Sequence, residues 1–194
     1  IYQPRAGFRY AMDPILLVGW AMEGGPAQSF VDIGTGSGVM ALLLTKLGLT
    51  GVGIDVLPEW IELATRSGRE SGLEARFECV DARALEGLSA DLVVCNPPYF
   101  PLSSGSLSPD PLRASGRHEC AGTLAELTAA ACRAGRRVCM TLPESRRDEA
   151  EVCLAAGGRP VWRRLLLDEG ISLIEGRQEG GETVTERASL RAEG

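Results

Sequence analysis

Lysine and histidine are nearly missing from this 194-residue chain, which has Lys46 as its one lysine and His118 as its one histidine. A single imidazole, together with six cysteines at 79, 95, 120, 132, 139 and 153 that form no C-x-x-C pair, supplies no zinc-ligand pattern. The expectation is no metal, and thiols that are mostly reduced and buried, as in a cytoplasmic protein. No apolar run approaches the ~20 residues of a membrane span, so no membrane partner is expected. The apolar stretch Ile15 to Met22 follows Asp13-Pro14 without a basic leader or a small-residue cleavage site, so no signal peptide is read there. The chain does not begin with Met, which points to a trimmed start. Positive charge is also scarce. A net charge of −6 excludes a general nucleic-acid binder that works by broad phosphate neutralisation, so any RNA contact must be local. The 19 arginines against one lysine are read as genome composition. Apolar residues make up 44%, and the length suits one well-buried core, so 1–194 is expected to form a single domain.

Apolar runs alternate with glycine and proline punctuation. Asp13-Pro14 reads as an N-cap and first helical residue, opening a helix through Met22 that is apolar on nearly every side. Strands are expected at Phe30-Val31, Gly51 to Ile54, Arg76 to Val80, Leu92 to Cys95 and Val138 to Leu142. Helices are expected at Val39 to Leu47, Pro58 to Ser67, Thr123 to Ala134 and Glu144 to Ala156. Two more strands, Val161 to Leu167 and Ile171 to Glu175, are separated by Asp168, Glu169 and Gly170, which read as a tight hairpin unless a loop is omitted there. Ser103 to Gly116 reads as a long loop, a length that is often functional. Strand-helix-strand repeats demand a mostly parallel, doubly wound α/β sheet, whose ligands bind beyond the carboxyl ends of the strands. Asp32, Asp55, Asp81 and Asn96 each follow one of four successive strands, which lines four polar side chains along that edge.

The loop Asp32-Ile33-Gly34-Thr35-Gly36-Ser37-Gly38 joins the first strand to its helix. Its glycines permit a tight turn and close approach of a ligand to backbone. A dinucleotide fingerprint would place its third Gly or Ala at 39, where this chain has Val39. The spacing favours S-adenosyl-L-methionine, which has no diphosphate and carries an ammonium and a sulfonium that the acid Asp32 would attract. Asp55 can accept hydrogen bonds from both ribose hydroxyls. Asp81 can accept one from the cofactor's adenine amine, while the Ala82 N–H faces a ring nitrogen. Taken alone, Asp55 serves a nicotinamide cofactor equally well, and Asp55 and Asp81 are as readily plain turn residues as ligand contacts.

The run Asp91-Leu92-Val93-Val94-Cys95-Asn96-Pro97-Pro98-Tyr99 places a proline-stiffened turn directly after a buried strand. Neither proline carries an N–H, so the turn offers acceptors without competing donors. A planar amine, such as that of adenine or a glutamine amide, is a poor nucleophile because its lone pair is delocalised. The Asn96 side-chain oxygen and the Pro97 carbonyl can accept hydrogen bonds from both of its N–H groups, and Tyr99 can stack on its plane. Asn96, Pro97 and Tyr99 are therefore the expected catalytic residues.

These motifs, with Gln3-Pro4-Arg5-Ala6-Gly7-Phe8-Arg9-Tyr10, Asp13 and Gly116-Arg117-His118-Glu119, give most of the chain a resemblance to class I S-adenosylmethionine-dependent methyltransferases of the small-domain type. Within them it resembles the bacterial tRNA adenine-N6 methyltransferases that act on valine tRNA. The resemblance implies a seven-stranded, mostly parallel Rossmann-like sheet with its last strand antiparallel. It also implies a cofactor-cleft cover at 1–25, a core at 28–178 and a tail at 179–194. The cofactor set is then Arg9, Tyr10, Asp32, Gly34, Thr35, Gly36, Gly38, Asp55, Asp81, Ala82 and Asn96. The substrate set is Pro98, Tyr99, Arg113 and Arg117, and the implied partner is RNA, with tRNA leading. Arg5, Arg9, Arg113, Arg117, Arg146 and Arg147 are placed near the carboxyl edge as candidate RNA contacts. Arg133, Arg136 and Arg137 belong at the opposite edge. His118 is left out of the catalytic set, and Glu119 is read as opening the Thr123 helix. The alternatives are an N5-glutamine protein methyltransferase, which would carry an extra helical domain before the glycine loop, and a ribosomal RNA guanine-N2 methyltransferase. A non-catalytic RNA-binding module with the same fold, and a nicotinamide-dependent oxidoreductase, stand outside that class.

Overall fold

The computed structural model describes residues 1–3, 12–100, 119, 122–179 and 181–189. The strands are β1 (Ser29–Ile33), β2 (Thr50–Asp55), β3 (Arg76–Cys79), β4 (Ala90–Cys95), β5 (Gly135–Pro143), β6 (Val161–Leu167), β7 (Ile171–Arg177) and β8 (Val184–Ala188). The helices are α1 (Asp13–Glu23), α2 (Val39–Lys46), α3 (Pro58–Glu70), α4 (Leu124–Ala134) and α5 (Arg147–Ala156). The strands form one sheet in the order β3-β2-β1-β4-β5-β7-β6-β8. β7 alone runs against the rest, pairing antiparallel with both β5 and β6. The hairpin expected at 168–170 is present, with the Gly170 N–H donating to the Leu167 carbonyl.

The sheet has one strand more than the sequence pattern predicts. Val184–Ala188, expected in a tail, pairs parallel with β6 as an edge strand. All five of its residues are exposed, so it carries no apolar alternation that would mark it in the sequence.

Alternating strand residues feed two cores. Val31, Ile33, Val52, Ile54, Val93 and Met140 pack with α4 and α5 on one face. Phe30, Leu92, Val94, Cys139 and Leu173 pack with α1 and α2 on the other. This is the period-two alternation of a sheet buried on both faces. The helix ends have local causes. Pro14 and Pro58 sit in the first turns of α1 and α3, and Thr123 with Glu126 closes a capping box at α4. At the amino end of β4, Asp91 Oδ2 accepts from the Gln28 and Ser29 amides and the Ser29 hydroxyl, which sets the level of β1 against β4. Five cysteines are free thiols among the described residues. Cys95, Cys132 and Cys139 are buried, Cys153 is half-buried, and Cys79 is exposed.

The chain reverses its direction of winding between β1 and β4, the place where a doubly wound sheet opens a crevice. Ile33 pairs with both Ile54 and Cys95, so Gly34, Asp55 and Asn96 leave neighbouring strands at one level. Asp55 pairs with Cys79, bringing Asp81 to the same edge two residues later.

Candidate active site

Gly34 and Gly36 have φ of +70° and +53°, and a Cβ at either would meet no atom within 4 Å. The loop therefore has both the left-handed backbone that favours glycine and an open face toward the crevice. Gly38 has a different role. A Cβ there would lie 2.9 Å from Ala64 and Phe77, so this glycine lets α2 pack against α3.

Asp32 does not follow β1 as the sequence pattern predicts; it lies inside it, fully buried. The ladder continues through Ile33, and alternation turns Asp32 to the α2 side of the sheet. There its Oδ2 accepts from the Thr35 hydroxyl at 2.7 Å and the Ala41 amide at 3.1 Å, tying the glycine loop to the first turn of α2. Its Oδ1 is buried without a hydrogen-bond partner among the described residues. Burial pushes this carboxyl up to about 7 against those two hydrogen bonds, with a smaller push in the same direction from Asp55.

Asp55 closes β2 and reaches into the same loop. Its Oδ2 accepts from the Gly36 amide at 3.0 Å and its Oδ1 from the Leu57 amide at 3.1 Å. Burial raises its pKa above the usual carboxylate range, opposed by the Leu57, Gly36 and Val56 amides. Asp81 differs from the sequence expectation in being occupied already: the Arg83 guanidinium and amide both donate to it and hold its pKa low. Ala82, beside it, is buried in a 3₁₀ turn, Ala82–Ala84.

At the tip of β4, Pro97 is buried, and Asn96, Pro98 and Tyr99 are half-buried. The Asn96 Oδ1 is buried and accepts no hydrogen bond among the described residues. An acceptor at this depth is costly to leave unpaired, and this one is free to take a donor. Tyr99 donates its hydroxyl to Asp13 Oδ2 at 2.8 Å. Burial, then the Asp13 charge, raises the phenol's pKa well above its ordinary value, so it remains a donor. Asp13 is therefore not the N-cap expected from the sequence. Met12 holds that position, no side chain caps the helix, and the Asp13 carboxylate serves the Asn-Pro-Pro-Tyr turn instead.

α1 is fixed at its other end by charge. Glu175, fully buried, accepts from the Nε atoms of Arg137, Arg163 and Arg177 at 2.8, 2.8 and 2.6 Å. The same guanidiniums donate to carbonyls at the end of α1, Arg137 to Ala21 and Gly25, Arg163 to Trp20, and Arg177 to Gly24. Cations at a helix carboxyl end complement its dipole. A Cβ on Gly24 would fall within 2.4–2.5 Å of Arg163, Arg137 and Glu175, so a side chain there would displace the tips of this cluster. Arg137 stands at the edge opposite the crevice, as expected, but as part of this buried cluster.

Two of the arginines expected to contact RNA are engaged elsewhere. Arg146 bonds Glu119 at 2.7 Å and Glu149 at 2.8 Å, and Arg147 pairs with Glu144, Asp148 and Glu151. Glu119 also accepts from the Leu124 amide at the start of α4, consistent with its expected place at that helix, and its own amide donates to the Phe100 carbonyl. Arg5, Arg9, Tyr10, Arg113, Arg117, His118 and the 103–116 loop lie outside the described residues. No helix among the described residues is long and apolar enough to cross a membrane, and no cluster of three or more potential metal ligands occurs among them. The contacts that sequence reasoning does not find are those of Asp13, as the partner of Tyr99, and of Arg83. Neither contact is encoded by local spacing that distinguishes it from an ordinary helix start or a surface arginine.

Comparison with known proteins accords with this geometry. Residues 30–105 match a family described as a methyltransferase domain. The tRNA1(Val) (adenine(37)-N6)-methyltransferase of Tolumonas auensis is 30% identical over 172 residues, which cover 84% of this chain and 71% of that protein. The release factor glutamine methyltransferase of Rhodospirillum rubrum is 37% identical over 106 residues, 52% of this chain, and the chain spans only 33% of that relative's length. Among solved structures, magnesium protoporphyrin IX methyltransferase from Synechocystis PCC 6803, crystallised with bound S-adenosylmethionine, superposes with a TM-score of 0.64 at 15% identity, covering 86% of this chain and 78% of that one. The open glycine loop and the two acids beside it fit a cationic nucleoside cofactor. The chain belongs to the class I S-adenosylmethionine-dependent methyltransferases, the family that includes the tRNA1(Val) adenine-N6 enzymes.

Proposed function

We propose that this methyltransferase modifies the exocyclic N6 amine of an adenine in tRNA. The observation that carries the reading is the Asn96 Oδ1, a buried acceptor without a donor among the described residues, at the tip of β4 and level with the open face of the glycine loop. The relative named for tRNA adenine aligns with 84% of the chain, against 52% for the one named for release factor glutamine, which favours adenine over an amide.

S-adenosylmethionine supplies an electrophilic methyl group when bound. In this reading Asp55 accepts from the ribose hydroxyls, Asp81 and Ala82 address the adenine, and Asp32 supplies negative charge beneath the loop. Asn96 Oδ1 and the Pro97 carbonyl accept the two N–H groups of the target amine, which aligns its lone pair for displacement. Positioning carries most of the rate, and a base flipped from its stack is the form this cleft would take. Attack by a neutral amine on a cationic centre disperses charge, so acceptors matter more than a strong general base, and the proton leaves to water afterwards.

Tyr99 stacks on the flipped base in this reading, with Asp13 fixing the ring through its hydroxyl. Tyr99→Phe keeps the ring and removes the bond, so turnover is expected to fall about tenfold, the scale of one charge-assisted hydrogen bond. Tyr99→Ala should fall further. Equal losses in steady-state turnover for the two variants would remove stacking from the mechanism.

The experiment that tests the substrate is incubation with labelled methyl donor and, separately, unmodified total tRNA, ribosomal RNA and protein extract, followed by digestion and identification of the labelled species. N6-methyladenosine from tRNA is the expected product. Label found only in methylglutamine or N2-methylguanosine would replace this reading with one of those activities.

A further inference from the structure

The Arg83 side chain grips Asp81 from the side. Its Nε lies 3.0 Å from Oδ1 and 3.1 Å from Oδ2, its Nη2 lies 2.7 Å from Oδ2, and its amide lies 2.9 Å from Oδ1. A guanidinium in this forked arrangement uses the carboxylate lone pairs that an incoming planar N–H would also seek. The backbone below is held independently. The Ala84 amide donates to the Asp81 carbonyl at 3.0 Å, the Leu85 amide to that of Ala82 at 3.2 Å, and Arg133 Nη2 to that of Arg83 at 3.2 Å. The Arg83 side chain itself is 48% exposed, and a second acceptor is within reach, Glu126 Oε1 at 3.7 Å from Nη1. Glu126 is fixed by its capping-box bonds to Thr123. One half-exposed cation thus stands within reach of two carboxylates, and one of them borders the cofactor crevice.

We propose that Arg83 is an internal competitor with the cofactor's adenine amine for Asp81, covering this carboxylate before the nucleoside binds and transferring to Glu126 when it does. The inference rests on the reading of Asp81 as the adenine acceptor. Arg83 would then set cofactor affinity below what the cleft could reach, and would favour departure of the demethylated product by returning to Asp81. Exposed ion pairs are weak, so the competition is a modest adjustment of affinity.

Titration calorimetry with S-adenosylmethionine and S-adenosylhomocysteine on the wild type, Arg83→Met, Asp81→Asn and the double variant reads this directly. Arg83→Met keeps the aliphatic stem and removes every side-chain donor. It is expected to tighten both ligands by about two- to fivefold, a gain that disappears in the Asp81→Asn background. Glu126→Gln, which removes the alternative partner's charge, is expected to weaken binding. Raising salt should narrow the gap between wild type and Arg83→Met, because the competing pair is screened. If Asp81→Asn weakens binding but Arg83→Met leaves it unchanged or weaker, the competitor role is overturned while the Asp81 reading stands. If Asp81→Asn has no effect on affinity, the Asp81 reading falls and this inference falls with it.

Discussion

Asn96→Ala is expected to lower methyl transfer by about 10²- to 10³-fold while leaving S-adenosylmethionine affinity within about twofold, the scale on which loss of one preorganised hydrogen-bonding group acts on a rate. The asymmetry follows from position. Asn96 emerges from β4 with its Oδ1 buried and without a donor among the described residues, whereas the acids beside the glycine loop, Asp32 and Asp55, are already bonded to backbone amides that shape it. Removing the amide deletes an acceptor for the target amine and leaves the loop and its carboxylates in place. Asn96→Asp separates geometry from charge, since it keeps an acceptor at the same place but adds a negative charge to a buried site. Single-turnover rates with labelled donor, paired with calorimetric affinities, provide the measurement. A parallel loss of affinity and rate would assign Asn96 to the cofactor and remove it from the acceptor side.

The parts of this site that were legible in the sequence are those encoded by local spacing. The glycine loop, the acid closing β2 and the Asn-Pro-Pro-Tyr turn each combine a strand end with residues whose backbone freedom or missing donor is known from their type alone. Burial depth was not legible in the same way. Asp32 reads as a rim residue, and becomes a buried one because the β1 ladder continues through Ile33 to pair with Ile54 and Cys95. The Tyr99–Asp13 bond joins residues 86 apart, and the Glu175 cluster joins α1 to β5, β6 and β7, so neither has a signature in any short window. Arg146 and Arg147 show a further limit of reading by residue type. Their helix spacing to Glu149 and Glu151 is visible in the sequence, and those ion pairs compete directly with phosphate contact. β8 was missed because an exposed edge strand has no buried face to imprint a pattern.

Asp32→Asn is expected to stabilise the cofactor-free fold while weakening cofactor binding, with both effects set by pH. The carboxyl stands at about 7 in the fold against 3.8 in its unburied reference state. Between those values the folded chain holds a proton that the unfolded chain has lost, so stability falls as pH rises through this window and levels off above about 8. At that plateau the difference corresponds to an upper bound of about 4 kcal/mol, because one pKa unit is worth about 1.4 kcal/mol. Asparagine keeps a carbonyl for Thr35 and Ala41 and removes the ionisation. Its melting temperature should therefore exceed that of the wild type at pH 8, with the gap closing toward pH 5. Binding runs in the opposite sense. A cationic ligand favours the ionised carboxylate, so wild-type affinity should rise with pH up to about 7 to 8 and release a proton below that range. Asp55, the other raised carboxyl facing the loop, contributes with the same sign, and the buried Cys95 thiol, pushed up by burial and by Asp32, stays neutral throughout. Asp32→Asn removes the step near pH 7 and leaves the Asp55 contribution. Thermal melts and calorimetry in buffers of different ionisation enthalpy, from pH 5.5 to 8.5, measure both effects. An affinity independent of pH across that range, or an Asp32→Asn fold less stable than the wild type at pH 8, would show that the buried carboxylate does not carry an uncompensated charge awaiting a cation.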